Sequence, residues 1–122
     1  MGKLTRSEMS IYRQYSKIKG NALRTCKINE LVIFANNTKS HELAKFNLWW
    51  EHRQNGCNVI TECYNRDGER CDVVCLTCQE RYEPETDPAR AARFIGTDVN
   101  IVPVGWGWKQ ITKWVKLNTK RG

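Results

Sequence analysis

The sequence lacks any hydrophobic run long enough to cross a membrane. Its longest apolar stretches, such as residues 31–35, are far shorter than the roughly 20 residues that a transmembrane helix needs. The opening residues MGKLTR also lack the apolar segment of a secretory signal peptide. These absences argue against membrane-spanning and exported proteins, so we expect an intracellular, cytoplasmic protein without a membrane partner.

Internal repeats and low-complexity tracts are absent too, and no shift in composition marks a second domain. A chain of 122 residues is long enough to bury a core without disulfide bonds. We therefore expect one globular unit.

Acidic residues are missing from residues 109–122, which hold five basic residues. Residues 1–30 hold seven basic residues against two acidic ones, so the two ends carry +10 and the middle −3 within a net charge of +7. Lysine and arginine bind phosphates, whereas aspartate and glutamate bind metal ions. This distribution suits a protein that grips nucleic acid around an acidic centre, and it is equally typical of charged ends that keep a small protein soluble.

Six cysteines without an export signal favour reduced thiols or a metal site over a disulfide framework. Cys75 and Cys78 form a CxxC motif, but no second such motif or histidine cluster follows, and His41 and His52 lie upstream in a predicted helix. We favour buried thiols that act as small apolar residues. A zinc or iron–sulfur site remains the alternative, built from among Cys57, Cys63, Cys71, Cys75 and Cys78.

A capping box formed by Thr5 and Glu8 predicts a helix that begins near Arg6. Apolar residues at helical spacing continue this helix toward a break at residues 19–21. The pattern of residues 22–35 fits both a second helix and a strand, because the apolar run near their end is too short for periodicity to distinguish the two.

The clearest predicted helix begins at a Ser40 cap and ends at Asn55, where Gly56 stops it. Its apolar residues form one broad face, which we expect to pack on a sheet. This face consists of Leu43, Phe46, Trp49 and Trp50.

Residues 57–63 and 70–76 are rich in strand formers, and the turn-forming residues 65–69 between them predict an antiparallel hairpin. A third short strand is expected at residues 81–85. The hairpin and the third strand together predict a three-stranded meander.

The last third of the chain is predicted to hold a helix, a strand and a second helix. Asp87 and Pro88 are typical of a helix start, followed by a strand at residues 99–104 that ends at Gly105. From Trp108 onward the apolar residues follow helical spacing, and the opposite side of that helix is lysine-rich.

Acidic residues on the second and third strands are the candidate site. Asp72 lies inside an apolar strand, where burial is costly without a partner, and alternation places it on one face with Val74 and opposite Val73. Glu83 and Glu85, two residues apart, share a face that a hairpin brings beside Asp72. Converging carboxylates repel unless a cation such as Mg²⁺ or Mn²⁺ lies among them.

The alternative is a solvated sheet edge. Pro84 between the two glutamates is compatible with an edge strand, because proline cannot donate a ladder hydrogen bond. In that case the acidic residues would be surface charges without a metal.

Several short motifs occur in the order of these elements. They are His41-Glu42 at the start of a helix, Thr61-Glu62, and residues 68–74, 82–86, 87–94 and 100–104. Residues 40–104 thereby resemble the restriction-endonuclease-like PD-(D/E)XK nuclease superfamily, and the last motifs are similar to its archaeal and viral members.

The resemblance implies an α/β fold with an α-β-β-β-α-β core, in which helices flank a mixed four-stranded sheet. Residues 40–122 would form the restriction-endonuclease-like domain, which ends in a basic helix. Residues 1–39 would form a basic helical extension.

The resemblance also implies a metal-dependent DNA endonuclease that hydrolyses phosphodiester bonds with Mg²⁺ or Mn²⁺. Asp72 and Glu83 would be the metal ligands, and Glu85, in the position that usually holds lysine, would orient or deprotonate the attacking water. Glu42 matches an acidic residue that Holliday-junction resolvases carry on the first helix, and it would assist through a second ion or a water. Lys45 or Arg70 are candidates for the missing positive charge.

Two other functions stay open. Glu85 cannot supply the charge of lysine and Pro84 removes a strand hydrogen bond, so a catalytically lapsed nucleic-acid-binding module of the same fold is one alternative. A cysteine-based zinc or iron–sulfur module is the other.

Nucleic acid, most simply DNA, is the expected partner, and a homodimer across a two-fold axis of the nucleic acid is an open possibility. The candidate contacts are basic residues of the two ends and of the helices near the acidic strands. They are Lys17, Lys19, Lys45, Arg70, Arg90, Arg93, Lys109, Lys113, Lys116 and Lys120.

Overall fold

The computed structural model describes residues 3–17 and 25–121, and within them it is an α/β protein with four α-helices and one four-stranded mixed sheet. In chain order the elements are α1 (Arg6–Tyr12), α2 (Lys39–Gln54), β1 (Val59–Tyr64), β2 (Arg70–Cys75), β3 (Glu80–Glu85), α3 (Pro88–Ala91, extended by a 3₁₀ turn Ala92–Phe94), β4 (Asn100–Pro103) and α4 (Trp108–Arg121). None of the helices in these residues is both long and apolar enough to cross a membrane.

The strands lie in the order β1-β2-β3-β4. β1, β2 and β3 form an antiparallel meander, and β4 adds to β3 in parallel. Pairing between β2 and β3 ends at Val73 and Tyr82, whereas β3 continues beside β4 as far as Glu85 and Pro103. β2 and β3 therefore separate beyond Tyr82, and this separation opens a cleft in the sheet.

Helix α1 begins where the sequence predicted, with the Thr5–Glu8 capping box in place. It ends at Tyr12, earlier than the expected break at residues 19–21, because the chain turns to pair Ser16 with Tyr64 at the end of β1. The predicted extension of α1 beyond Tyr12 was therefore wrong. The pairing of Ser16 with Tyr64 outweighs the local helical periodicity here.

Residues 25–35 form neither the helix nor the strand that the sequence allowed for this segment. They run along β1 as irregular chain, held by hydrogen bonds from Asn29 N–H to the Val59 carbonyl and from Val32 N–H to Thr61 Oγ1. Residues 22–24 of the predicted element lie outside the described residues. Irregular chain thus covers one side of β1 without joining the sheet.

Helix α2 is confirmed in extent, but its cap is Thr38 and not Ser40. The Thr38 Oγ1 accepts a hydrogen bond from His41 N–H at 3.2 Å. At the other end Gly56 has a φ of 80°, a left-handed conformation that glycine adopts without strain. With Thr38 as its cap, the helix begins at Lys39, one residue before the predicted cap Ser40.

The expected apolar face of α2 does not pack on the sheet as a whole. Leu43, Phe46 and Trp50 are 43%, 39% and 50% exposed, and only Trp49 of that face joins a core cluster. The stripe against the sheet instead includes Glu42 and Lys45, both buried. The prediction failed because it assumed that the buried stripe of a helix is the apolar one.

Apolar residues of the sheet divide into two core clusters. Cys71 and Val74 lie in the cluster that packs against α1, whereas Val73 and Cys75 lie in the cluster that packs against α2. Asp72 also faces α2, so it lies on the side of Val73 and not, as alternation predicted, on the side of Val74. The alternation breaks opposite Glu62, whose φ of 55° interrupts the ladder between β1 and β2.

Cys26 and Cys63 form a disulfide that joins the irregular segment to β1. This corrects the expectation that all six cysteines are reduced or bind metal. The pairing depends on residues 37 apart in sequence meeting in the core, which local patterns do not reveal. The remaining cysteines are free thiols, of which Cys57, Cys71 and Cys75 are buried, as expected, and Cys78 is exposed.

Glu8 anchors α1 to the sheet and to the β2–β3 turn. Its carboxylate accepts hydrogen bonds from Thr5 N–H, from the Thr77 hydroxyl and from the Asn58 amide. The bond from the Thr5 backbone, with those from Thr77 and Asn58, lowers the pKa of Glu8 from 4.5 to about 2 despite its burial. The charged form of Glu8 therefore stabilises the fold.

Glu8→Gln is expected to lower the free energy of unfolding at pH 7 by about 1–3 kcal/mol. Because the pKa in the folded state lies below that in the unfolded chain, this contribution is complete above pH 4.5 and is lost as the pH falls toward about 2. Urea unfolding between pH 7 and pH 2.5 measures it. The exposed control Glu51→Gln should parallel wild type, and an equal difference at both pH values would contradict the assignment.

Candidate functional site

A cavity of about 600 Å³ occupies the cleft between β2 and β3. Its walls bring together Asp72, Glu83 and Glu85, three of the four residues predicted to be catalytic, and add His41 from the start of α2. Four arginines also line it, namely Arg70, Arg81, Arg90 and Arg93.

Asp72 and Glu83 lie at the point where the two strands separate. The backbone N–H of Asp72 donates to Glu83 Oε2 at 3.0 Å, so a side chain replaces the missing ladder partner. Pro84 follows at a position where β3 pairs only with β4. Its missing N–H therefore removes no hydrogen bond to β2. Pro84 lies where β3 has lost β2 as a partner, as expected for proline at a local strand edge, although Glu83 and Pro84 are both buried.

His41 bridges two carboxylates. Its Nε2 lies 3.2 Å from Asp72 Oδ2 and its Nδ1 lies 2.7 Å from Glu42 Oε2. The hydrogen bond to Asp72 raises the pKa of His41 to about 9, and the bond to Glu42 adds to it, against the opposite effect of burial. His41 is therefore protonated at neutral pH and donates from both ring nitrogens.

Glu42 is buried and has no oxygen left for a metal ion. Oε1 accepts from Lys45 Nζ and Phe34 N–H, and Oε2 accepts from His41 and from the Asn37 amide. Burial alone would raise the pKa of Glu42, but these hydrogen bonds lower it to about 2. Glu42 contacts His41 and is not among the residues that line the cavity.

Lys45 is fully buried between two carboxylates. Its Nζ lies 2.6 Å from Glu42 Oε1 and 2.9 Å from Glu62 Oε2. Burial raises the pKa of Glu62, and the bond from Lys45 opposes that shift. This placement removes Lys45 from the expected nucleic-acid contacts and from the candidates for the missing positive charge in the cleft.

Arg81 supplies a positive charge inside the cleft, and the sequence interpretation missed it. Its Nε lies 3.0 Å from Glu83 Oε2, and its guanidinium lies 5.1 Å from the centre of the Phe94 ring. A signal was available, because Arg81 precedes Glu83 by two residues and so shares its strand face. Arg70, the other candidate cation, lines the cavity rim and pairs with Glu62 at 3.2 Å.

Asp72 and Glu83 each contact one cationic side chain, His41 and Arg81 respectively. Burial, followed by the charge of Asp72, raises the pKa of Glu83 from 4.5 to about 7, although Arg81 opposes the shift. A pair of close carboxylates in a buried site takes up either a proton or a cation. The raised pKa of Glu83 is therefore consistent with uptake of either a proton or a cation by this pair.

Two carboxylates in the cavity lining, those of Asp72 and Glu83, are the candidate ligands for a divalent cation. The described residues donate no hydrogen bond to Oδ1 of Asp72 or to Oε1 of Glu83, so both oxygens are available. Among the described residues, Asp72, Glu83 and Glu85 do not form a group of three carboxylates close enough to share one ion. One oxygen of Glu85, Oε2, accepts from the N–H groups of Thr86 and Asp87. Mg²⁺ is commonly bound by one or two carboxylates and several waters, which this arrangement allows.

The other predicted nucleic-acid contacts lie at several places. Arg90 and Arg93 are exposed at the cavity, and Lys17 is exposed beside Glu30. Lysines 109, 113 and 116 are exposed on α4, which packs against α3 and the 3₁₀ turn. Lys19 and the side chain of Lys120 lie outside what the structure describes. Arg90 and Arg93 lie on α3 and its 3₁₀ turn, the two elements against which α4 packs.

A second group of ligand atoms lies at the opposite end of α2. The side chains of His52, Cys57, Cys75 and Cys78 bring one nitrogen and three sulfur atoms within 4.8 Å of one another. Within the described part of the chain this is the one set of three or more such groups close enough to hold a metal ion. The structure thus contains a possible metal site, and it is cysteine-based.

His52 is the member of this set that sequence reasoning missed. The histidines were set aside because they precede the CxxC motif, yet His52 lies near the end of α2, five residues before Cys57. The signal was the order His-x₄-Cys followed by Cys-x₂-Cys. Burial raises the pKa of Cys57, and it raises the pKa of Cys75 to about 12. These thiols are therefore protonated unless a bound cation displaces their protons.

No family model, curated protein or solved structure matches this chain.

Proposed function

We propose that the protein is a metal-dependent DNA endonuclease whose active site is the cleft between β2 and β3. The observation that carries this proposal is the separation of the two strands at Asp72 and Glu83, which gives a buried carboxylate pair access to an arginine-lined cavity. The element order α2-β1-β2-β3-α3-β4 supports it, because the resemblance to PD-(D/E)XK nucleases implies the same order.

Asp72 and Glu83 would hold one Mg²⁺ or Mn²⁺ ion through their available oxygens. When bound, such an ion polarises a phosphodiester and lowers the pKa of an attacking water. Protonated His41 holds the Asp72 carboxylate in place, and Glu42 fixes the orientation of the His41 ring. Glu85, with Oε1 uncommitted, would accept the proton of the water.

Arginines would take the place of the lysine that the resemblance leads one to expect. Arg81 sits against Glu83 within the cavity, and Arg90 and Arg93 project from α3 at its rim. Guanidinium groups bind phosphate oxygens in a bidentate manner and remain charged at every physiological pH. The arginines would therefore orient the scissile phosphate toward the carboxylates.

Cleavage of plasmid, linear and four-way-junction DNA by the purified protein tests the proposal. We expect cleavage with Mg²⁺ or Mn²⁺ and none with EDTA or with Ca²⁺ alone. Protein that binds these DNAs but cleaves none of them with either ion would overturn it.

The second candidate is a DNA-binding module that has lost catalysis. It is favoured by one observation, the engagement of Glu85 with the N–H groups of Thr86 and Asp87, which turns one of its oxygens away from the cleft. The cleavage assay separates the two functions, since this module retains binding in EDTA and never cleaves.

DNA binding should depend on the lysine face of α4. Replacing Lys109, Lys113 and Lys116 together by alanine is expected to weaken binding to any DNA sequence by about tenfold or more at low salt. The slope of log affinity against log salt should fall by about 3, because three fewer phosphates are neutralised by lysine. Fluorescence anisotropy between 50 and 300 mM salt, roughly the range where such interactions dominate, measures this.

The exposed Lys27→Ala variant is the control for the removal of positive charge. It removes a lysine that already pairs with Glu30 and is not part of α4. A salt slope unchanged in the triple variant would show that α4 does not contact the DNA backbone.

A further inference from the structure

Four potential metal ligands converge where α2 ends and the β2–β3 turn begins. Cys57 Sγ lies 3.8 Å from Cys78 Sγ, and Cys78 Sγ lies 3.8 Å from His52 Nδ1. A disulfide would require about 2.05 Å, so these sulfurs are not bonded to each other. Ligands about 2.0–2.3 Å from one central ion at tetrahedral angles are separated by about 3.5–3.8 Å. The two separations of 3.8 Å match edges of such a tetrahedron, and all four ligand atoms lie within 4.8 Å of one another.

We propose that His52, Cys57, Cys75 and Cys78 bind one Zn²⁺ ion in a structural site. Three thiolates and one imidazole are a Cys₃His set, which zinc takes up in tetrahedral geometry. Soft sulfur ligands select zinc over Mg²⁺ and Mn²⁺, so this site and the carboxylate cleft would load different metals. Four atoms mutually within 4.8 Å surround a single ion rather than a multi-iron cluster.

Hydrogen bonds from the backbone and from Arg53 hold His52 and Cys57 in position. Cys57 N–H donates to the His52 carbonyl at 2.9 Å, and Arg53 donates from its guanidinium to the Cys57 carbonyl at 2.8 Å. The left-handed Gly56 turns the chain so that Cys57 returns to the end of α2. These contacts fix one half of the site before any ion enters.

The CxxC turn forms the other half. Cys78 N–H points at Cys75 Sγ at 3.3 Å, a contact that stabilises a thiolate at Cys75. Gln79 follows with a φ of 59°, a conformation that side chains rarely adopt and that turns the chain sharply into β3. A left-handed residue is common at the end of such a hairpin turn, and this turn brings Cys78 back beside Cys75.

The site would fasten α2 to the sheet. All four coordination positions are taken by protein, which is typical of structural and not catalytic zinc. His52 lies 11 residues from His41 on the same helix, about 16 Å along its axis. The zinc would hold one end of α2 on the β2–β3 turn, and His41 would present the other end to Asp72.

Zinc stoichiometry tests the site. The protein is purified under a mild reductant, supplied with equimolar Zn²⁺, dialysed and measured by elemental analysis. We expect about one zinc per chain in wild type, and less than about 0.2 in Cys78→Ser and in His52→Ala. Cys71→Ser, which changes a buried thiol outside the cluster, should keep its zinc.

Co²⁺ and heat provide independent measurements. Co²⁺ should give the visible bands of a tetrahedral thiolate site in wild type and Cys71→Ser but not in Cys78→Ser. Because Cys78 is exposed, its replacement would barely alter a metal-free fold, whereas loss of a structural zinc should lower Tm by about 10 °C or more.

Wild-type protein that retains no zinc, or Cys78→Ser that retains as much zinc as wild type, would overturn the proposal. Neither readout uses DNA, so failure of the zinc site and failure of the proposed nuclease are distinguishable.

Discussion

Asp72→Asn is expected to reduce metal-dependent DNA cleavage by about a thousandfold or more while DNA affinity changes less than about threefold. The substitution removes the charge of one of the two carboxylates proposed to hold the ion, and metal ions stabilise phosphoryl-transfer transition states by several kcal/mol. The shape of the residue and its contact with His41 remain. Single-turnover cleavage at saturating protein, with binding measured in parallel, gives both quantities.

The matched control is Asp98→Asn, an exposed aspartate in the loop before β4 and outside the cleft. It should cleave at the wild-type rate. Equal cleavage by Asp72→Asn and wild type would place catalysis elsewhere, and a parallel loss of DNA affinity would indicate a damaged fold instead.

Lys45→Met should lower the free energy of unfolding by about 3–5 kcal/mol, the largest loss of stability that we expect from a single substitution. Methionine fills a similar volume but leaves Glu42 and Glu62 buried without their shared cation. Breaking one partner of a buried ion pair costs more than replacing the whole pair, because the remaining charge stays unpaired. Urea unfolding at pH 7 measures the loss.

The double variant Lys45→Met with Glu62→Gln should recover part of that loss, since it removes one of the unpaired charges. Lys39→Met, at an exposed position of the same helix, should change stability by less than about 0.5 kcal/mol. A loss below about 1 kcal/mol in Lys45→Met would show that the network contributes little to the fold.

Local signals in the sequence sufficed for much of the secondary structure. The capping box at Thr5, the stop at Gly56 and the Asp87-Pro88 start act within a few residues of where they occur, so their helices appear as predicted. The strands also appear within a few residues of their predicted bounds, because the turn-forming residues 65–69 fix the hairpin. These features depend on short-range chemistry alone.

Long-range contacts explain the failures. The sheet-facing stripe of α2 holds Lys45 because two carboxylates, one of them on β1, neutralise it, and periodicity cannot anticipate such a partner. The same applies to the disulfide between Cys26 and Cys63, and to Asp72, whose strand loses its alternation opposite the left-handed Glu62. Each correction concerns a residue whose conformation is set by a distant part of the chain.

The candidate site divides in the same way. Asp72 and Glu83 were expected together and do meet, but not through strand alternation, since Asp72 lies on the face opposite to the predicted one. Glu42 was expected to assist through a second ion or a water, and Arg81 and His52 were not among the predicted site residues. The carboxylate of Glu42 contacts His41 and Lys45, and these contacts form only once α2 has folded. His52 lies close not only to Cys57 but also to Cys75 and Cys78, which are 23 and 26 residues away in sequence, so the full group appears only once α2 lies on the β2–β3 turn.

Titration of Mn²⁺ into zinc-loaded wild-type protein and Asp72→Asn, followed by calorimetry or electron paramagnetic resonance, tests the carboxylate cleft most directly. We expect wild type and Asp98→Asn to bind one Mn²⁺ per chain and Asp72→Asn to bind it at least about tenfold more weakly. Equal Mn²⁺ binding by wild type and Asp72→Asn, or none by either, would contradict the assignment of Asp72 and Glu83 as the metal ligands of a nuclease.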